Sequence, residues 1–199
     1  MTKALQPAVF FDRDGTLIEE VGYLDHIDRI VLFPWTIDAL RVLRRAGFRL
    51  FVITNQAGIA RGYFDEAFVE SVHAHLGERF AAAGVPVDHF YYCPHHPEAT
   101  RPDYRMVCRC RKPGPGMIER AAVDFDVDLS RSFVVGDRWL DIGAAHAAGA
   151  RGLLVRTGYG AHESRHPEGE VEPAAIVDHV FAAASWIVRE GARPPAPAV

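Results

Sequence analysis

Cysteine is nearly absent from this 199-residue chain: there are three, and all fall between Cys93 and Cys110. An odd number, with Cys108 and Cys110 only one residue apart, argues against a disulfide framework. No apolar leader is read in Met1 to Pro7, so a cytoplasmic location is expected. Long apolar runs are missing too. Nothing approaches the roughly 18 residues a spanning helix needs, and no membrane partner is expected. Positive charge is not in excess: 22 Lys and Arg stand against 26 Asp and Glu, for a formal net charge of -4. That balance gives no general attraction to nucleic acid, but it leaves room for a local basic patch that holds a small phosphorylated molecule. Internal repeats are absent as well. What remains is an ordinary globular composition, 49% hydrophobic and 24% charged, large enough to bury a core. One domain is expected over residues 1–190, and the proline-rich end GARPPAPAV, residues 191–199, reads as a flexible tail. With no long exposed apolar stripe in view, a monomer is expected.

Short apolar runs alternate with amphipathic stretches. AVFFD (8–12), FRLFVIT (48–54), HFYYC (89–93), SFVVGD (132–137) and GLLVR (152–156) have the length and β-rich makeup of buried strands. Between them, Ile37, Leu40 and Leu43, then Phe68, Val72, Leu76 and Phe80, then Met117, Ile118, Ala121 and Phe125 recur at helical spacing. Gly47, Gly84 and Gly149 fall where helix C-terminal caps belong, and Gly114-Pro115 fits a helix start. Alternation of this kind predicts an α/β fold with a doubly wound parallel sheet, whose ligands bind beyond the carboxyl ends of the strands.

Those ends carry polar chemistry: Asp12 after the first strand, Thr54 and Asn55 after the second, Cys93 after the third and Asp137 after the fourth. Asp12 and Asp14 leave the first strand two residues apart, and Gly15 then permits a sharp turn. Close carboxylates push their pKa values apart, so one can stay ionised to attack phosphorus while the other holds a proton for the leaving oxygen. Carboxylate and phosphate repel, so such an attack needs a cation, and Mg²⁺ suits a few carboxylates plus phosphate and water. Asp137 and Asp141 in GDRWLDIGAA are placed to supply further oxygens.

Cys93-x-His95 and Cys108-x-Cys110 offer three thiolates and an imidazole in two close pairs, a set that suits tetrahedral zinc. Four protein ligands leave no open position, so the site reads as structural, a zinc-bearing loop that presents Arg111 and Lys112 to the strand ends. His96 in place of His95, a redox pair, and three unrelated buried cysteines are the alternatives. His26, His73, His75, His89 and His146 show no partner pattern and read as surface or satisfied structural histidines.

DRDGTL, VITNQ, Lys112 and GDRWLD resemble, in order, the four signature motifs of the haloacid dehalogenase superfamily. The resemblance implies an aspartyl-phosphate mechanism: Asp12 as nucleophile, Asp14 as general acid and then base, Thr54 and Lys112 on the transferring phosphoryl group. It also implies Mg²⁺ held by Asp12, the backbone carbonyl of Asp14, and Asp137. GYLDHIDRIVLFPW, TNQAGIARGYF, YYCPHHPE and CRCRKPGPGM narrow the likeness over residues 8–160 to the histidinol-phosphatase-like branch and its heptose 1,7-bisphosphate 7-phosphatase family. That implies structural Zn²⁺ on Cys93, His95, Cys108 and Cys110, and substrate recognition by Arg111. One departure is Arg138, where lysine is common in the family.

The loops at about 18–35, 55–64 and 94–112 are too short for a cap domain, so loops should rim the site. Glu20, Tyr23, Asp25, Asn55, Gln56, Arg61, Arg111 and Arg138 are the candidates to meet a phosphorylated sugar. Rival readings are a histidinol-phosphate phosphatase, a polynucleotide end phosphatase, disfavoured by the net charge, and a non-catalytic zinc-loop binding module.

Overall fold

The computed structural model describes residues 5–167 and 171–191. Six parallel strands form one sheet in the order β3-β2-β1-β4-β5-β6. They are β1 Ala8–Phe11, β2 Arg49–Asn55, β3 His89–Cys93, β4 Phe133–Gly136, β5 Arg151–Val155 and β6 Ala175–Val177. The chain winds outward from β1 to β3, then crosses back to lay β4 against the other side of β1. The crevice at this reversal, above β1 and β4, is where a doubly wound sheet takes its ligand.

Seven helices cover the two faces among the described residues: α1 Thr36–Arg45, α2 Ala57–Arg61, α3 Glu66–Ala82, α4 Gly116–Phe125, α5 Trp139–Ala147, α6 Gly160–Glu163 and α7 Val180–Gly191. Alternation along the strands sorts the core into two layers. Val9, Phe11, Leu50, Val52 and Phe133 point to the side covered by Leu40 and Leu43 of α1, Val72 and Leu76 of α3, and Ala183 and Ile187 of α7. Ala8, Phe10, Phe51, Ile53 and Val134 point to the other side, against Met117 and Ile118 of α4 and Ala144 and Ala145 of α5. Strands buried on both faces explain why β1, β2, β4 and β5 are nearly continuous apolar runs.

Asp65 caps α3 by accepting the Phe68 N–H at 2.8 Å. Gly47, Gly84 and Gly149 take positive φ after α1, α3 and α5, as their positions predict. The helix at Gly114-Pro115 begins one residue later than the proline implies, with Pro115 as the cap of α4. The short edge strand β6, the brief α2, and helices α6 and α7 were not anticipated. The flexible tail expected at 191–199 lies outside the described residues except for Gly191, which ends α7. Among the described residues no helix is long and apolar enough to cross a membrane.

Phe133 is fully buried in the first layer, with Phe48 and Trp186 edge-on to its ring at 5.9 and 6.2 Å and the Arg151 guanidinium 4.3 Å over it. Phe133→Ala is expected to cost about 3–5 kcal/mol in urea unfolding. A loss under about 1 kcal/mol would show that this layer repacks around the cavity.

Candidate active site

Asp12 directly follows β1, and its N–H donates to Val135 O of β4 at 2.9 Å, so the sheet itself fixes where the carboxylate emerges. Facing it is Lys112, 4% exposed. The Lys112 Nζ donates to Asp12 Oδ1 at 2.6 Å, to Asp141 Oδ1 at 2.6 Å and to Ile53 O at 3.0 Å. All three ammonium protons are thereby engaged. Burial alone would favour the neutral amine, but the Asp12 and Asp141 carboxylates outweigh it and hold the lysine protonated, above its ordinary range. Burial pushes Asp12 up to about 7, with Asp141 and Asp14 adding to the rise against the pull of Lys112.

Asp137 follows β4 and is also buried, and burial, with Asp12 and Asp141 nearby, raises its pKa well above the usual carboxylate range. Its Oδ2 accepts the Tyr159 N–H at 2.8 Å. Oxygens of Asp12, Asp137 and Asp141 lie within 4.8 Å of one another. Three buried carboxylates against one buried ammonium leave uncompensated negative charge, and a hard divalent cation fits that deficit. Asp141 is already engaged, since Oδ1 takes Lys112 and Oδ2 takes the Arg138 N–H that opens α5. Asp12 and Asp137 are therefore the side chains that could hold such a cation.

Asp14 turns away from this cluster. Its carboxylate accepts from the buried Arg13 guanidinium at 3.0 Å, from Gln56 Nε2 at 3.1 Å and from Thr54 Oγ1 at 3.4 Å. Thr54, expected to face a phosphoryl oxygen, thus lies against Asp14 and also accepts from Gln56 Nε2 at 2.8 Å. Asn55, expected among the substrate donors, clasps the Lys112 backbone instead, donating to its carbonyl at 3.1 Å and accepting its N–H at 3.0 Å.

Cys93, at the end of β3, meets His95, Cys108 and Cys110, and the four donor atoms fall within 4.8 Å of one another. Sulfur separations are 3.2, 3.3 and 3.5 Å, and His95 Nδ1 lies 3.4 and 3.8 Å from Cys110 and Cys93. These are a little shorter than the about 3.8 Å edge of a tetrahedron with ~2.3 Å Zn–S bonds. None of the three cysteines is paired in a disulfide. His96 turns elsewhere: its Nδ1 accepts the Glu98 N–H at 3.1 Å and its side chain lines the pocket over the aspartates. Turns Arg111 O to Gly114 N (2.7 Å) and Arg109 O to Gly116 N (2.9 Å) then carry the chain from the cysteines into α4. Tyr92 and Tyr104 both donate to Glu66, at 2.7 and 2.8 Å, tying the loop's outer half to α3.

The pocket has a volume of about 350 Å³ and is walled by Glu20, Tyr23, Arg61, Arg111, Arg138 and Tyr159 above the aspartates. Arg61 donates to the Tyr23 hydroxyl and lies 5.7 Å over its ring, and Tyr63 stands edge-on to that ring at 4.6 Å. Arg111 donates to His95 O at 3.2 Å, which joins the pocket wall to the cysteine cluster. Arg138 lies 5.0 Å over the Tyr159 ring, and Glu20 accepts the Gly22 N–H at 2.5 Å. Asp25 is a correction: it is exposed, pairs with Arg29 at 2.6 Å, and does not line the pocket.

Sequence reasoning missed the partners that aim these groups: Gly158 and Tyr159 beside Asp137, Arg13 and His73 behind Asp14, and Glu163, whose Oε2 accepts the Trp139 N–H at 2.8 Å. Only Arg13 carried a signal, a charge wedged between two motif aspartates.

A Cβ at Gly158, where φ is +54°, would come within 2.1 Å of Asp137 Oδ2. Gly158→Ala is expected to raise the Mg²⁺ concentration for half-maximal turnover about tenfold or more. Unchanged Mg²⁺ dependence would show that position 158 does not hold Asp137. For the thiol cluster, elemental analysis should find zinc in the purified protein. Chelation followed by Mg²⁺ resupply should expose the thiols to alkylation and lower turnover. Unaltered thiol reactivity and turnover would exclude a zinc role.

Comparison with known proteins places this geometry. The HAD-hydrolase-like family model matches residues 109–183. The chain is 45% identical over 153 residues to D-glycero-β-D-manno-heptose-1,7-bisphosphate 7-phosphatase of Escherichia coli (strain K12), covering 76% of this chain and 80% of the relative. It is 38% identical over 186 residues to D-glycero-D-manno-heptose-1,7-bisphosphate 7-phosphatase of Chlorobaculum tepidum, covering 90% and 93%. A crystal structure of D,D-heptose 1,7-bisphosphate phosphatase from B. bronchiseptica, complexed with magnesium and phosphate, superposes with a TM-score of 0.81 at 32% identity, over 92% of this chain and 99% of that one. The parallel sheet, the buried aspartates at its switch point and these likenesses agree: the chain belongs to the heptose-1,7-bisphosphate 7-phosphatase family of the HAD-like hydrolases.

Proposed function

We propose that the protein is a Mg²⁺-dependent phosphatase that removes the C7 phosphate of D-glycero-D-manno-heptose 1,7-bisphosphate to leave heptose 1-phosphate, with the β anomer preferred as in the Escherichia coli relative's name. The observation that carries this reading is a single pocket with buried aspartates and Lys112 at its floor and three guanidiniums, Arg61, Arg111 and Arg138, on its wall. A substrate with a phosphate at each end suits such a pocket, one end at the nucleophile and the other among arginines.

Asp12 attacks the C7 phosphorus, and the bond from phosphorus to the C7 oxygen breaks as Asp14 delivers a proton to that oxygen. Water then attacks the aspartyl phosphate, Asp14 takes its proton, and inorganic phosphate leaves with Asp12 restored. Bound Mg²⁺, held by Asp12, Asp137 and the Asp14 carbonyl, would supply charge compensation between carboxylate and phosphate. Lys112 has no free proton while Asp12 is an anion. Phosphorylation of Asp12 removes its carboxylate charge, which releases the ammonium toward a phosphoryl oxygen. Thr54 donates to Asp14 at rest and has only to rotate to reach the same group. Zinc on Cys93, His95, Cys108 and Cys110 would fix the loop that carries Arg111 and Lys112. Glu20, Tyr23, Gln56, Arg61 and Arg138 supply the rim contacts to sugar and distal phosphate, with Asn55 acting through the Lys112 backbone. The same reading has one domain working as a cytoplasmic monomer on a small phosphorylated sugar, without nucleic acid or membrane. None of the three cysteines is in a disulfide, which suits a reducing compartment.

The test is phosphate release, with Mg²⁺, from both heptose bisphosphate anomers, histidinol phosphate and a 5′-phosphorylated oligonucleotide. A clear preference for the β-heptose bisphosphate, abolished by Asp12→Asn in a folded protein, is expected. Preference for either of the other two would overturn the substrate, and substantial turnover by the Asn variant would overturn the nucleophile.

A further inference from the structure

Arg13 is among the largest fully enclosed side chains in the protein, 2% exposed, although it carries a permanent charge. A buried guanidinium must have its donors matched. Nε meets Asp14 Oδ1 and Oδ2 at 3.2 and 3.1 Å, and Nη2 meets them at 3.2 and 3.0 Å, a side-on fork that fixes the carboxylate's plane. The remaining corner of the fork, Nη1, lies 3.3 Å from Nε2 of His73, far along the chain on α3. A guanidinium can only donate, so Nε2 of His73 must carry the lone pair and Nδ1 the proton. Burial first, and the Arg13 charge second, push the His73 pKa down to about 3, which keeps the ring neutral and able to accept. The ring is itself held, stacked on Phe90 at 5.0 Å and edge-on to Tyr92 at 5.7 Å.

We propose that His73 is a positioning residue for the reaction: by anchoring the far corner of Arg13, it fixes the plane of the Asp14 carboxyl where that group lines the pocket. The proposal rests on the reading of Asp14 as general acid. Asp14 has Thr54 and Gln56 on Oδ2 as well, yet only Arg13 binds both oxygens and so sets the rotation of the carboxyl group. A proton donor displaced by about an ångström loses much of its effect, whatever its chemistry.

The experiment compares kcat/KM on the best sugar phosphate, whose alkoxide must be protonated as it leaves, with p-nitrophenyl phosphate, whose phenolate leaves unaided. His73→Phe keeps the ring and removes the acceptor. It is expected to lose about tenfold on the sugar phosphate, through kcat with KM unchanged, and no more than about twofold on the nitrophenyl ester. His73→Gln, which restores an acceptor, should recover both values to within about twofold of wild type. Should the Phe variant fail to fold, His73→Asn, whose amide is shorter, takes its place in the comparison. Equal losses on the two esters, no loss on either, or a Gln variant no better than Phe would overturn the proposal. Asp14→Asn separates the two readings: if it too loses equally on both esters, Asp14 is not the acid. If Asp14→Asn is selective and His73→Phe is not, the positioning role alone fails.

Discussion

Four separate parts of the chain meet at one buried ammonium. Lys112 comes from the end of the cysteine loop, Asp12 from β1, Asp141 from α5 and the Ile53 carbonyl from β2. Ion pairs shut away from water are poor sources of net stability, because desolvating the charges cancels much of their attraction. They are exacting about geometry, however, since a misplaced partner leaves a buried charge alone. The remaining construction serves that demand. Asn55 grips the lysine's backbone from β2, and Cys93, at the end of the neighbouring β3, draws Cys108 and Cys110 in just before the lysine. The thiol cluster and the carboxylates therefore form one device in which the loop's shape decides where the buried ammonium stands.

The parts of the fold that could be read from sequence were those whose physics is local. β1, β2, β4 and β5 lie in the sheet interior and carry runs of apolar residues that few other structures use, and β3, at one edge, is recognisable by its aromatic residues. β6, three residues at the sheet edge and only partly buried, has no such run, and its pattern is as consistent with a loop. α7 buries Val180, Ala183, Ala184 and Ile187 against α1 and the sheet, with alanines filling the tight side of the contact, and alanine marks a core face weakly. At the site, Asp12, Asp14, Thr54, Cys93 and Asp137 were legible because strands deliver them to one edge. Their supports were not. Arg13 and His73, Asp137 and Tyr159, Asn55 and Lys112 are pairs made by packing across the sheet, and nothing in the order of residues announces them.

The rim follows a different logic from the floor. Below, charges are buried, and the Lys112 and Arg13 donors meet carboxylates, a carbonyl and an imidazole. Above, Arg61 lies along Tyr23 and Arg138 along Tyr159, cations resting on aromatic faces with their edges still in water. Such contacts are worth little individually and are readily exchanged. They keep the guanidiniums extended over the pocket in the absence of substrate, and they let a phosphate or hydroxyl replace the ring without breaking a buried bond. Among the described residues no cap domain stands over the pocket, and these cation–ring contacts form its upper wall.

Asp137 shows how little freedom the floor retains. Gly15, at φ +80°, and Gly158, at φ +54°, lie beside each other against one edge of its carboxyl, so that a Cβ on either would fall 2.2 or 2.1 Å from Oδ2. The two backbones form a wall that only glycine can build at this distance. A buried side chain pressed against such a wall has lost much of its rotamer freedom when the chain folded, so a cation meeting it would require little further ordering of the protein. The entropy of binding then falls chiefly on the released water, a setting in which a weakly held, readily exchanged ion such as Mg²⁺ can still find its place in each turnover.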